Sequence, residues 1–254
     1  VKKFIKNNIH IIYMALPLVL MDLMTRYLGT EINFYKMYKL APNLFTLLWV
    51  FLFIGVCLSL KKYAGKIIYF IVNIIFITLF LVNNIYYSLS SNYFSFNLME
   101  SAGEGSPYFW TAIKNCHILV YIFLGIIILA FIWGFIKTPV NKKYSFKKLS
   151  IVLIVFLSLH TITPMFLGKA NTDLVWNTWK NPRNVYLSFN DSNKSMQVSG
   201  FFEYSIRDFY VTYLRDQKLD ESELDLLAEI YDETSSDNTN KYTGKYEGKN
   251  LIFL

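Results

Sequence analysis

The run of residues at positions 67–87, IIYFIVNIIFITLFLVNNIYY, contains no charged side chain, and the uncharged stretch continues to Met99. An α-helix rises about 1.5 Å per residue, so roughly 20 apolar residues cross a hydrocarbon core of about 30 Å. Buried helices of soluble proteins rarely reach this length without a charged face. The run therefore predicts a transmembrane helix in the middle of a membrane protein.

Four other runs have the same character, so we expect an all-α fold in which positions 1–167 form a polytopic bundle of five transmembrane helices. The predicted spans cover positions 8–27, 42–60, 67–87, 118–136 and 149–166. The hydrophobic content of 54% fits a membrane protein that also carries a sizeable polar appendage.

The net charge of +7 is placed in a way that predicts membrane topology rather than a nucleic-acid partner. Positions 1–166 hold fifteen Lys and Arg against four Asp and Glu, whereas positions 167–254 hold ten against fourteen. Eleven lysines fall in three segments, and the two loops that alternate with these segments hold only three. The eleven are Lys2, Lys3, Lys6, Lys61, Lys62, Lys66, Lys137, Lys142, Lys143, Lys147 and Lys148. We therefore expect a cytoplasmic N-terminus and an extracellular C-terminal part after the fifth span.

Asp22 and Arg26 stand four residues apart near the outer end of the first predicted span, so one helical face carries both. Ionisable residues inside a span are costly and often functional, although an arginine near the boundary can reach the headgroups. The two residues are our candidate site, as either a lipid-headgroup site or a structural pair, and we favour the structural pair. His160 in the fifth span has no evident ligand partner in the sequence, which favours a packing role.

Two aromatic stretches are predicted to lie outside the membrane. The aromatic residues at positions 88–116 predict either an interfacial helix that caps the bundle or a loop packed on its neighbours. Its aromatic residues include Tyr93, Phe94, Phe96, Tyr108, Phe109 and Trp110. The stretch at positions 200–214 predicts a helix that packs along another external element or the membrane surface. Its apolar positions at helical spacing are Phe202, Ile206, Phe209, Tyr210 and Tyr213.

Positions 168–248 are predicted to form an extracellular helical linker. Within it, Asp220 and Glu223 form a capping box at the start of a short acidic helix expected at positions 219–231. Positions 249–254 then begin an apolar run typical of a buried strand in a parallel sheet. Because such a strand cannot be stable alone, we expect it to be the first strand of a missing α/β domain.

Three local stretches carry a resemblance to a known family. They are YFSFNLMESAG at 93–103, GFFEYSIRDFYVTYL at 200–214 and GKNLIFL at 248–254. They resemble the lipoteichoic acid synthase family of Gram-positive bacteria, membrane transferases with an external sulfatase-like domain of the alkaline phosphatase superfamily. The first is similar to the family's loop between spans three and four, the second to its linker helix, and the third to its first catalytic-domain strand.

The resemblance implies a transferase that moves glycerol phosphate from phosphatidylglycerol to a cell-envelope acceptor through a threonine-linked intermediate. It also implies a divalent metal, usually manganese. In the family, the first metal-binding carboxylate and the threonine lie beyond the strand at which this sequence ends. No catalytic, metal-binding or cofactor-binding residue is therefore carried over, and we expect the metal in the missing catalytic domain. The partners expected for this chain are that domain and membrane lipids, phosphatidylglycerol among them.

Other functions stay open at this point. A phosphoethanolamine transferase or a related sulfatase-like hydrolase would have the same kind of anchor. A non-enzymatic polytopic scaffold would use the external helices as a partner-binding surface. A transporter is disfavoured, because five spans do not divide into an inverted repeat and the sequence has no internal repeat.

Overall fold

The computed structural model describes residues 2–29, 40–100, 102–171 and 181–215, together with Ala228. Within these ranges the chain forms nine α-helices and three short 3₁₀ helices. The α-helices are α1 (Lys2–Leu28), α2 (Ala41–Ser59), α3 (Ala64–Ser90), α4 (Ala102–Gly105), α5 (Phe109–Asn115), α6 (Ile118–Lys137), α7 (Phe146–Ile162), α8 (Pro182–Ser188) and α9 (Ser192–Tyr213). The 3₁₀ helices are Phe96–Met99, Ser106–Tyr108 and Thr163–Leu167.

The five predicted spans are confirmed as helices that are long and apolar enough to cross a membrane. The segments are Asn8–Leu28, Ala41–Ser59, Ala64–Ser90, Ile118–Lys137 and Phe146–Leu167. A helix satisfies its own backbone hydrogen bonds, which a hydrocarbon core requires of any segment that crosses it. The described part of the chain is thus an all-α bundle of a multi-pass membrane protein.

The core of the bundle is built from large apolar side chains of α1, α3 and α6. Met14 and Leu18 of α1, Phe80 of α3 and Ile127 of α6 are fully buried. Helix α2 packs against α1, α3 and α7. Lipid tails are as apolar as these side chains, so close packing rather than exclusion from water holds such helices together.

Pro17 lies inside α1 and has no N–H to donate to the Tyr13 carbonyl. Gly134 of α6 packs at this point, where an added Cβ would lie 2.6 Å from the Tyr13 carbonyl oxygen and would also overlap the Tyr69 hydroxyl. That hydroxyl donates to the Met14 carbonyl at 3.2 Å. The glycine therefore permits close approach of α6 and α3 to α1 where the hydrogen-bond ladder of α1 is broken.

One end of the bundle, here termed the lysine-rich end, consists of residues 60–66 and 137–148, which hold eight lysines and no acidic residue. Its two loops are joined by a bridge in which the Lys62 N–H donates to the Asn141 carbonyl at 2.8 Å. The Asn141 side-chain amide donates to the Leu58 and Leu60 carbonyls at 2.8 and 3.2 Å. These bonds satisfy carbonyls that the C-terminus of α2 would otherwise leave without partners.

The opposite end, here termed the aromatic end, consists of residues 91–117 with helices α8 and α9. The loop at 88–116 packs on its neighbours at its start, where Tyr93 is buried. Further along, α5 carries the exposed side chains of Phe109 and Trp110, which suit the headgroup region of a bilayer. The packed arrangement is thus confirmed at the start of the loop, and an interfacial position for α5 stays a prediction.

The chain divides into two compact units, Val1–Leu214 and Arg215–Leu254. Helices α8 and α9 belong to the first unit, together with the five spans. In the second unit only Arg215 and Ala228 are among the described residues. The predicted helix at 219–231, the linker to position 248 and the strand at 249–254 therefore lie outside the described residues.

Candidate functional site: the docking of helix α9 at the aromatic end

Helix α9 is interrupted at Gly200, where φ is 76° and ψ is 172°, and a second helical segment begins at Phe201. A side chain at Gly200 would crowd both α1 and α2. Its Cβ would lie 3.1 Å from the Pro42 carbonyl oxygen, 3.2 Å from the Asp22 carboxylate and 3.2 Å from the Thr46 hydroxyl. Glycine adopts such a backbone without steric cost, so it allows α9 to lie directly against both spans.

The carboxylate of Asp22 receives the start of this second segment. One oxygen accepts a hydrogen bond from the Phe201 N–H at 2.9 Å, and the other forms an ion pair with Arg26. Arg26 also donates to the side-chain oxygen of Asn43 at 3.2 Å. A carboxylate at a helix N-terminus is stabilised by the free N–H groups and by the helix dipole. The candidate pair is thus brought together, with Asp22 at 0% and Arg26 at 4% exposure.

Glu203, on the first turn after Gly200, joins α9 to three other helices. Its Oε2 accepts from Trp49 of α2 and from His160 of α7, each at 2.8 Å. Its Oε1 accepts from the Tyr186 hydroxyl of α8 at 2.8 Å. Phe45 of α2 stacks on Tyr186 and meets the His160 ring edge-on, so aromatic rings enclose the network.

The protonation state of Glu203 follows from two opposing effects. Burial alone would raise its pKa, but the hydrogen bonds, that from His160 foremost, hold the pKa below its ordinary value. Glu203 is therefore ionised at neutral pH and acts only as an acceptor. Burial also raises the pKa of the neighbouring Tyr186, which stays a neutral donor.

Asp208 and Tyr204, further along α9, fix the start of the aromatic loop. Asp208 accepts from the Ser95 hydroxyl at 2.7 Å and from the Phe96 N–H at 2.8 Å, which caps the 3₁₀ helix that follows. The Tyr204 hydroxyl donates to the Phe94 carbonyl at 2.7 Å. Burial raises the pKa of Asp208, and these two hydrogen bonds only partly oppose that effect.

The chemistry of this arrangement is that of a docking site. Both carboxylate oxygens of Asp22, Glu203 and Asp208 have hydrogen-bond or ion-pair partners among the described residues. Among the residues that the structure describes, no three His, Cys, Asp or Glu side chains form a group that could hold a metal ion. The metal implied by the resemblance is expected in the missing domain, and it stays a prediction.

A cavity of about 470 Å³ beside α8 carries two basic side chains, Lys169 and Arg183, with apolar Met165 and Leu187. Neither basic group has an ion-pair partner among the described residues, and the Arg183 Nη1 is buried without an acceptor. Met165, directly after α7, is 67% exposed. Cations beside exposed apolar side chains at the end of a span suit the phosphate of a lipid headgroup.

Sequence reasoning missed Glu203 and Asp208. The available signal was the presence of two acidic residues five positions apart in the aromatic run FFEYSIRDFY. Charged residues are almost never buried unless they are paired, so such a run predicts buried partners for both. His160, for which we expected a packing role, donates to Glu203 while its ring packs on Phe156.

The prediction that the 200–214 helix packs along another element is confirmed for several of its apolar positions. Phe202 is fully buried, and Phe209 and Tyr213 meet the Phe96 ring edge-on although they are 46% and 51% exposed. Packing of the exposed positions against the membrane surface stays a prediction. The buried face also includes the polar side chains already described.

No family model matches this chain, and the comparisons with curated proteins and with solved structures give no match either.

Proposed function

We propose that this chain is the membrane anchor and linker of a lipoteichoic acid synthase-like phosphoglycerol transferase. Such an enzyme moves glycerol phosphate from phosphatidylglycerol to a cell-envelope acceptor, and its catalytic residues would lie in a domain that follows the linker. The observation that carries the proposal is the docking of α9 by Asp22, Glu203 and Asp208. Docking of this kind fixes the position of α9 on the bundle.

The proposed orientation places the N-terminus in the cytoplasm and α9 outside the cell. It rests on the lysine-rich end, whose eight lysines have no acidic neighbour in the same loops. Lysine-rich loops stay preferentially on the cytoplasmic side of a membrane. The aromatic end then faces the outer leaflet, which is the leaflet from which an external transferase would take its lipid donor.

The cavity beside α8 that carries Lys169 and Arg183 would serve as a lipid-recognition element. Lys169 and Arg183 would pair with the phosphate of phosphatidylglycerol, while Met165 and Leu187 contact its apolar part. Such a contact would hold the donor beside the linker without any chemistry at this site. Transition-state stabilisation would belong to the following domain.

The proposal is tested with the complete gene product, reconstituted in vesicles of phosphatidylglycerol labelled in its headgroup glycerol. In the proposed transfer, the bond between phosphorus and the diacylglycerol oxygen breaks, glycerol phosphate passes to the acceptor, and diacylglycerol is released. We expect diacylglycerol and an acceptor-linked label to form in equal amounts.

Each other function has its own result in this assay. Label released as free glycerol phosphate would indicate a hydrolase. Product formed from phosphatidylethanolamine but not from phosphatidylglycerol would indicate a phosphoethanolamine transferase. No turnover of either lipid by a folded protein would favour the non-enzymatic scaffold and would overturn the proposal.

A further inference from the structure

A groove with a volume of about 740 Å³ runs along α2 between α1 and α7, in the half of the bundle nearer the lysine-rich end. Its residues on α2 extend from Leu47 to Ser59. At about 1.5 Å per residue, this part of α2 is about 18 Å long. That length is close to half of a hydrocarbon core of about 30 Å, so the groove spans about one leaflet.

The walls of the groove are apolar and open to the membrane. Ala15 of α1 and Ile151 of α7 line its two sides, and Leu47 and Phe51 of α2 are 59% and 40% exposed. Along these apolar walls ordered water would lack the several polar partners that it needs. In a bilayer, a lipid acyl chain is the apolar group that can fill this groove.

The polar end of the groove suits a negatively charged lipid headgroup. Lys148, His10 and Asn141 line this end, and none of the described residues that line the groove is acidic. Lys148 is exposed and has no ion-pair partner among the described residues. The Asn141 amide is already bonded to the end of α2, so Lys148 is the group free to bind an anion.

We propose that this groove binds one anionic glycerophospholipid of the leaflet at the lysine-rich end. Its acyl chain lies along α2 between α1 and α7, and its headgroup phosphate pairs with Lys148 beside His10. Basic pockets between transmembrane helices bind anionic headgroups in the same way. The site lies at the opposite end of the bundle from α9, so it does not depend on the proposed transferase function.

The test uses nanodiscs that contain equal amounts of phosphatidylserine and phosphatidylcholine with identical acyl chains. Phosphatidylserine is negatively charged and has no glycerol headgroup, so retention of it is separate from turnover of the proposed donor. After extraction into detergent, native mass spectrometry counts the lipids that stay on each chain. We expect one tightly held phosphatidylserine, and we expect Lys148→Gln to lower its preference over phosphatidylcholine about fivefold.

Two matched pairs of variants make the result specific. Lys147→Gln removes a neighbouring charge on α7 that does not line the groove, and it should change the preference less than twofold. Ala15→Phe fills the groove and should abolish retention, whereas Leu16→Phe, on the exposed side of the same helix, should not. Equal retention of the two lipids, equal effects of the two lysine variants, or retention unaffected by Ala15→Phe would each overturn the proposal.

Discussion

A carboxylate inside a transmembrane helix is costly unless it is paired, and Asp22 is paired twice. It forms an ion pair with Arg26, and it accepts the N–H of Phe201, a residue 179 positions later in the chain. The same side chain thus neutralises a buried arginine of α1 and holds α9 against the bundle. This double role explains why the pair is buried rather than directed to lipid.

We predict that Asp22→Ala lowers the free energy of unfolding by about 3–5 kcal/mol, because it leaves the buried Arg26 without its counter-charge. Thermal unfolding in nanodiscs, followed by tryptophan fluorescence, measures the effect. Lys194→Gln is the control, since its ion pair with Asp191 is about one third exposed and should contribute no more than about 1 kcal/mol. A variant at Asp22 that melts like the wild type but no longer binds lipid would support a headgroup site instead.

The lowered pKa of Glu203 predicts that the stability of the folded protein depends on pH. Its pKa is lower in the folded protein than in the unfolded chain, so its stabilising contribution is complete above the unfolded pKa and is lost as the pH falls through the folded pKa. Asp208, whose pKa is raised, contributes in the opposite direction. We therefore expect Glu203 to contribute a fall in the melting temperature as the pH drops below its unfolded pKa of about 4.3, and Glu203→Gln to remove that contribution.

The comparison that decides this point is the difference between wild type and Glu203→Gln across the pH range. The two should differ most at neutral pH and converge under acidic conditions. A difference that stays constant with pH would show that the Glu203 charge does not stabilise the docking of α9.

At the scale of elements, Gly200 is the feature that allows α9 to dock. We predict that Gly200→Ala costs about 1–3 kcal/mol from backbone strain, because φ there is positive. The tight contacts of its Cβ with α1 and α2 add to that cost. Gly125→Ala in α6 is the matched control, since a Cβ there meets nothing within 4 Å and should be neutral or slightly stabilising.

The melting temperatures of these two variants give the test. If Gly200→Ala were as stable as Gly125→Ala, the docking of α9 on the bundle would not require glycine at position 200.

The spans could be predicted from the sequence because length and absence of charge decide them locally. The Asp22–Arg26 pair could also be predicted locally, since its members are one helical turn apart. The network of Glu203 was not, because its partners Trp49, His160 and Tyr186 are 154, 43 and 17 positions away. Helical periodicity located the apolar positions of α9, but it could not show that the same helix also buries polar groups with partners on other helices.

At the scale of the whole molecule, the proposed topology predicts which residues are reachable from outside the cell. Cys57 and Cys116 are both free and buried, so single cysteines can be introduced against a low background. Asn190→Cys at the aromatic end should react with a membrane-impermeant maleimide on intact cells. Lys142→Cys at the lysine-rich end should react only after permeabilisation, and the reverse pattern would contradict the orientation.

The proposed function requires a transferase domain that follows this chain in the complete protein. The most direct measurement is the sequence of the gene through the codons after Leu254. We expect the reading frame to continue into an acidic residue within a few positions, then a threonine or serine, and later further Asp and His residues. A stop codon directly after Leu254, or a continuation without these residues, would contradict it.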